Sequence, residues 1–270
     1  MKFWKCKHFC GVCIVALSAL LNTCSVESPD VLIIQDEKPQ MEVLTHFLQE
    51  KSGLDVAIVD QDQLPEDLSP YKTVILYVHG RLEVPVEKAV IRYTETGGKF
   101  IALHHSISGG KSRNEFYFDF LGIRLDDPDN SRNPVEPGAG YAWLDPITLT
   151  LVNLNPNHYI TNHNVKWVKE VEYVSSDFPS AGGVFPTIDL EHSEVYMNHK
   201  FTDGREKTVL CGFKFFDERN GHLFMQDRAV WYKSYKKGII FYFMPGHTSS
   251  DYENPNIAQM ILNAINWPTE

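Results

Sequence analysis

Four short, almost wholly apolar runs, separated by stretches of helical period, confine this chain to an α/β architecture. The runs are Asp30–Gln35 (DVLIIQ), Leu54–Asp60 (LDVAIVD), Lys72–Gly80 (KTVILYVHG) and Lys99–His105 (KFIALHH). A strand that is apolar on both faces must be covered on both faces, as happens in a parallel sheet. Between the first two runs, Pro39–Lys51 puts Met41, Leu44, Phe47 and Leu48 on one helical stripe, and Gly53 closes it. Pro85–Thr96 repeats the pattern with Val86, Ala89, Val90 and Tyr93, ending at Gly97. Helices of this length between strands imply right-handed crossovers and a mostly parallel sheet with flanking helices.

The second half has a different character. Residues 124–146 are rich in Asp, Asn, Pro and Gly and read as a long ordered loop. Strand-like runs follow at Ile147–Val152, Val165–Val174, Glu194–Lys200, Lys207–Phe216 and Arg228–Tyr235, an antiparallel β elaboration. Lys237–His247 (KGIIFYFMPGH) reads as a return to the central sheet. Pro255–Trp267 is a terminal helix with Asn254 as N-cap and Pro255 in its first position.

The N-terminus reads as an export signal, 1–23. Lys2, Lys5 and Lys7 precede an apolar stretch from Cys10 to Leu21, too short for a span of about 20 apolar residues. The following Leu-Asn-Thr-Cys is similar to a bacterial lipoprotein processing site, which makes Cys24 the expected lipidation site. The protein is then expected in the periplasm or cell envelope, held to the membrane through a lipid anchor, with 24–270 as a single domain. The net charge is −10 over 270 residues, and loss of the three leader lysines makes the remainder more acidic. An acidic chain without a Lys/Arg cluster is a poor partner for nucleic acid. Cys211 is the one cysteine beyond the leader and its processing site, so an intradomain disulfide and a cysteine metal site are both excluded. It reads as a small apolar residue on a strand.

Ligands of open parallel sheets bind where loops leave the carboxyl ends of the strands. His104, His105 and His247 fall at such ends. His79 does too, but reads as a polar residue that merely ends its strand. Neighbouring strand residues face opposite ways, so one of His104 and His105 should face the cleft and the other support it. Gly97–Gly110 (GGKFIALHHSISGG) resembles the Gly-Gly-strand-Leu-His-His/Gly segment of the ThuA-like, or trehalose-utilisation, family. Glu115-Phe116 is similar to that family's Trp-Pro-Glu-Tyr element, and His158–Thr161 (HYIT) to its His-Pro-Ile-Thr. Val168–Val174 (VKEVEYV) resembles its Asp-Glu-x-Tyr segment, and the stretch from Ala229 to Trp267 resembles its closing strand, Gly-His and helix.

The resemblance covers nearly all of 24–270. It implies a flavodoxin-like, class I glutamine amidotransferase-like fold and a role in the use of trehalose or an oxidised sugar. Related amidotransferases carry a nucleophilic Cys after the strand that here ends in His104 and His105, so glutaminase chemistry lacks its nucleophile. The expected catalytic groups are His104, His105, Glu170, Glu172 and His247. A divalent metal such as zinc would use His104, His158 and His247, with Glu170 or Glu172 as the carboxylate. The same groups could instead serve as general acid and base on a bound sugar. Tyr141 and Trp143 are the expected sugar-stacking rings. No nucleotide cofactor is indicated. The alternative reading is a sugar- or glycan-binding lipoprotein without catalysis. His163, His192, His199 and His222 look like surface histidines.

Overall fold

The computed structural model describes Met1 and residues 28–175 and 182–268. The rest of the expected leader and the expected lipidation site Cys24 lie outside the described residues. Among the described residues no helix is long and apolar enough to cross a membrane.

The parallel half follows the reading above. Strands β1 (Val31–Gln35), β2 (Val56–Asp60), β3 (Thr73–Tyr77) and β4 (Lys99–Leu103) alternate with helices α1 (Lys38–Ser52) and α2 (Val84–Glu95). Strand β12 (Gly238–Phe243) pairs in parallel with β4, giving the order β2-β1-β3-β4-β12, the flavodoxin-like arrangement. β1, β3, β4 and β12 are buried at every position, as strands covered on both faces must be. Helix α1 packs with α5 (Ser249–Glu253) and α6 (Pro255–Asn266), whereas α2 packs on β4 and β12. As expected, the Asn254 side chain caps α6 by accepting from the Asn256 N–H.

The antiparallel elaboration is the other half of the same sheet. Strands β11 (His222–Tyr235), β10 (Thr208–Asp217), β6 (Ala142–Asn153), β8 (Gly183–Met197) and β7 (Lys169–Tyr173) extend it in that order from β12. A small second sheet joins β5 (Ile123–Arg124) to β9 (Lys200–Phe201). Two expectations change here. The expected loop 124–146 already contains the start of β6, and β8 begins eleven residues before Glu194. The front of β8 is half exposed and carries Pro186, Asp189 and Glu191, so it lacks the apolar run that marks a buried strand.

β6 and β8 do not run straight. Their pairing slips between Leu144 and Ile147 and again before Leu149, and His192 has φ of 58°. Such bulges bend a strand and re-aim its side chains. Beyond the bend, Ala142–Leu144 pairs with Val195–Met197, and Tyr196 N–H reaches the Met244 sulfur just past the end of β12. The bent segment thereby roofs the carboxyl ends of the parallel strands.

Candidate functional site: a histidine–glutamate cluster at the strand ends

β4 ends at Leu103, and the chain enters a 3-10 turn over His104–Ile107. His104 has φ of 40°, a left-handed conformation that costs a residue with a Cβ about 1–3 kcal/mol. That turn breaks the strand alternation expected to separate His104 from His105. Both rings therefore point the same way, with centroids 4.3 Å apart. Ser106 turns inward and donates to the Leu76 carbonyl (2.7 Å), away from the cluster. Cys211 is buried in β10, and burial raises its thiol.

The loop after β12 supplies His247. Gly246 before it has φ of 132°, and a Cβ there would fall 2.2 Å from the Tyr252 hydroxyl, so only glycine fits. Asp251 Oδ2 accepts from the N–H groups of Gly246 (3.0 Å) and His247 (2.8 Å) and from Ser193 Oγ (2.8 Å). One buried carboxylate thus fixes the backbone of His247 and the residue before Glu194.

Glu194, at the bent end of β8, is the carboxylate at the centre of the cluster. Its Oε2 lies 2.9 Å from His104 Nε2, 3.3 Å from His247 Nδ1 and 3.6 Å from His105 Nε2. His104 Nε2 and His247 Nδ1 are themselves 3.3 Å apart. The far nitrogen of each ring faces an acceptor: His104 Nδ1 the Met244 carbonyl (2.5 Å), His247 Nε2 an Asp145 oxygen (3.5 Å), and His105 Nδ1 a Glu37 oxygen (3.7 Å). A carbonyl can only accept, so Nδ1 of His104 carries the hydrogen. In the neutral ring its Nε2 then presents a lone pair to a carboxylate oxygen, which is repulsive unless a proton or a cation lies between them.

Charge in the cluster follows from this geometry. Burial alone would raise Glu194, but hydrogen bonds from His104 and His247 outweigh it and hold the carboxyl well below the usual range. Burial, with the His104 charge beside it, depresses His105 strongly, so its ring is neutral at pH 7. For His247 burial acts downward and is overcome by the Glu194 hydrogen bond and charge, with help from Asp145.

Glu194, His105 and His247 line the floor of a cleft of about 460 Å³, within the roughly 300–1,000 Å³ of small-molecule sites, and His104 is buried beneath them. Trp143, an expected stacking ring, lines its wall and donates from Nε1 to Ser131 Oγ (2.7 Å), with the Arg132 guanidinium 4.3 Å over the ring. Tyr141 also lines the cleft but is almost fully buried, and its hydroxyl has no hydrogen-bond partner among the described residues.

The structure brings together three of the five expected catalytic residues: His104, His105 and His247. Glu170 and Glu172 do not join them. They are exposed on edge strand β7, five strand spacings or about 24 Å along the sheet from β12. His158 does not join them either. It N-caps the short helix α4 (Tyr159–Asn162), accepts from Ile160 N–H, and packs on Trp267 with centroids 4.5 Å apart. Trp267 lies beside Lys99, the first residue of β4, so His158 belongs to the opposite end of the parallel strands from His104. Glu194 escaped the sequence reading, although a carboxylate opening the apolar Glu194-Val195-Tyr196-Met197 run was a usable signal. His79 also proves to line the cleft, stacked on His105 with centroids 4.5 Å apart. His199, read as a surface residue, is fully buried.

The family model for trehalose utilisation, ThuA, matches residues 31–268. The chain belongs to the ThuA family. A ThuA-like protein from Parabacteroides merdae ATCC 43184 has a similar structure, with a TM-score of 0.61 and 15% identity over 88% of this chain and 89% of that one. A second, from Bacteroides uniformis ATCC 8492, gives 0.57 and 17% over 87% and 88%. Part of the GH42 β-galactosidase Gan42B from G. stearothermophilus is also similar, with a TM-score of 0.50 at 13% identity, covering 88% of this chain and 30% of that one. At these identities the likeness concerns the fold alone. A search of curated proteins found no match. Within the family's fold, the His-His element is the turn after β4 and the Gly-His element is the loop after β12.

Proposed function

We propose that this ThuA-family protein is an enzyme acting on trehalose or an oxidised sugar, with a divalent cation of the zinc class held by His104, His247 and Glu194. The observation that carries this reading is the triangle of His104 Nε2, His247 Nδ1 and Glu194 Oε2, with sides of 2.9, 3.3 and 3.3 Å. Ligand atoms about 2.1 Å from a metal stand roughly 3.0–3.4 Å apart, so the donor set fits without rearrangement. Two imidazoles and one carboxylate suit a borderline divalent ion with open positions. The acceptors behind the rings match the support that metal-ligating histidines use to fix their tautomer.

When bound, the ion would supply Lewis-acid polarisation of a sugar oxygen. The chain supplies the remainder. Trp143, which lines the cleft wall, would take a pyranose face on its ring. His105, kept neutral by burial, adds an uncharged ring to the cleft floor. Asp145 orients His247, and Asp251 fixes its backbone. The basic, short apolar leader and Cys24 support export and lipid anchoring of the same protein.

The test combines metal content with turnover. Chelator-stripped protein would be reloaded with zinc and incubated with trehalose and its oxidised derivatives, with products read by NMR. His104→Ala and His247→Ala should each lose the ion of this triangle, and turnover with it. Sugar binding that survives in both variants, with no turnover by the wild type, would instead establish the non-catalytic binding protein.

A further inference from the structure

Beside the triangle lies a second group of donors that the proposed chemistry does not use. Glu37, N-cap of α1, stands at the carboxyl end of β1, and His79 at that of β3. Glu37 Oε1 is 3.4 Å from His79 Nδ1, and Glu37 Oε2 is 3.7 Å from His105 Nδ1. The three donor atoms lie within 4.8 Å of one another. His105 is 3% exposed, and its Nδ1 has no hydrogen-bond partner among the described residues. A buried imidazole nitrogen without a partner is costly and needs a reason.

The backbone around these donors is fixed in place. Asp36 accepts from the N–H groups of His79 and Gly80, locking the turn after β3. Buried Lys111 donates to the carbonyls of His79 (2.9 Å) and His105 (2.7 Å), so one ammonium ties together the two loops that carry the histidines. Its geometric effect is to hold His79 over His105.

We propose that Glu37, His79 Nδ1 and His105 Nδ1 form a second binding site for a divalent cation of the zinc class, adjoining the His104–Glu194–His247 triangle. His105 sits between the two sites, with Nε2 towards Glu194 and Nδ1 towards Glu37. One carboxylate and two imidazoles form a donor set of the same borderline character as the first. The rings of His79 and His105 are nearly parallel, at 12°, so a shared ion requires His79 to turn about its outer torsion. Its side chain is 62% exposed, which leaves room for that rotation. The site opens into the same cleft, so its ion would meet the same ligand as the first.

Equilibrium dialysis of the stripped full chain against micromolar zinc, with metal per chain read by mass spectrometry, tests this inference. Wild type should hold two equivalents. His79→Ala and Glu37→Gln should each hold one, with at least a 100-fold weaker second equivalent, and Glu194→Gln should lose the other. Both His79 and Glu37 are solvent-accessible, and an unchanged thermal melt confirms that these variants fold. One equivalent abolished by Glu194→Gln but untouched by His79→Ala and Glu37→Gln would overturn the second site and leave the first. One equivalent abolished by His79→Ala alone would overturn the first and leave the second. No bound zinc would overturn both.

Discussion

Replacing Asp251 by alanine tests how the site is held together. The substitution strips the acceptor from three donors at once: the N–H groups of Gly246 and His247, and Ser193 Oγ. An unsatisfied buried donor costs about 1–3 kcal/mol. The Ser193 hydroxyl can reorient, and water can reach the partly exposed His247, so the sum should settle at about 3–5 kcal/mol. That is a large share of the 5–15 kcal/mol typical of a domain. Urea unfolding followed by tryptophan fluorescence gives the number. Asp251→Asn keeps one oxygen in place and should recover more than half of the loss. The same carboxylate sets His247 against Glu194, so zinc affinity should fall about 10- to 100-fold in the alanine variant, the range for supporting residues behind a metal ligand. A stability loss under 1 kcal/mol would refute the hydrogen-bond argument. A full loss of stability with wild-type zinc affinity would refute the positioning argument.

Three further outcomes are expected. His199 is depressed well below its ordinary value, first by burial and then by the charges of Arg228 and Lys233. The unfolded chain therefore binds a proton below about pH 6.5 that the fold refuses, so stability is complete above that pH and is lost on acidification, at about 1.4 kcal/mol per pH unit. His199→Leu should flatten the fall of the urea midpoint between pH 7 and 5.5, and an unchanged slope would contradict this. Glu170→Gln with Glu172→Gln should leave zinc content and turnover within twofold of wild type; a tenfold loss would return these residues to the site. Cys24→Ala should abolish palmitate labelling of the full chain, and equal labelling would rule out acylation at that residue.

The parallel half of the fold was legible because its strands are buried on both faces, and such strands need continuous apolar runs whatever lies beyond them. The place of the site was legible for a related reason. Loops leave a parallel sheet at its carboxyl ends, and His104, His105 and His247 are written directly after such runs. The half-exposed front of β8, before Glu194, was not legible, because it faces solvent on one side and neighbours on the other. Its polar residues look like a loop.

The membership of the site followed the same division. Sequence suggested Glu170 and Glu172 because they lie within the segment resembling Asp-Glu-x-Tyr, two apart on an expected strand and so on one face. Only the order of strands in the sheet shows that β7 is the far edge, while the bend in β8 returns Glu194 to the centre. His79 looked like a strand ending until the β3 and β4 loops were brought together by Lys111. Sequence by itself determined which residues end the parallel strands, since apolar burial is a local demand on each run. The partners those residues meet were decided by tertiary structure, because strand order, the β8 bend and the left-handed turn at His104 arise from contacts distant in the chain.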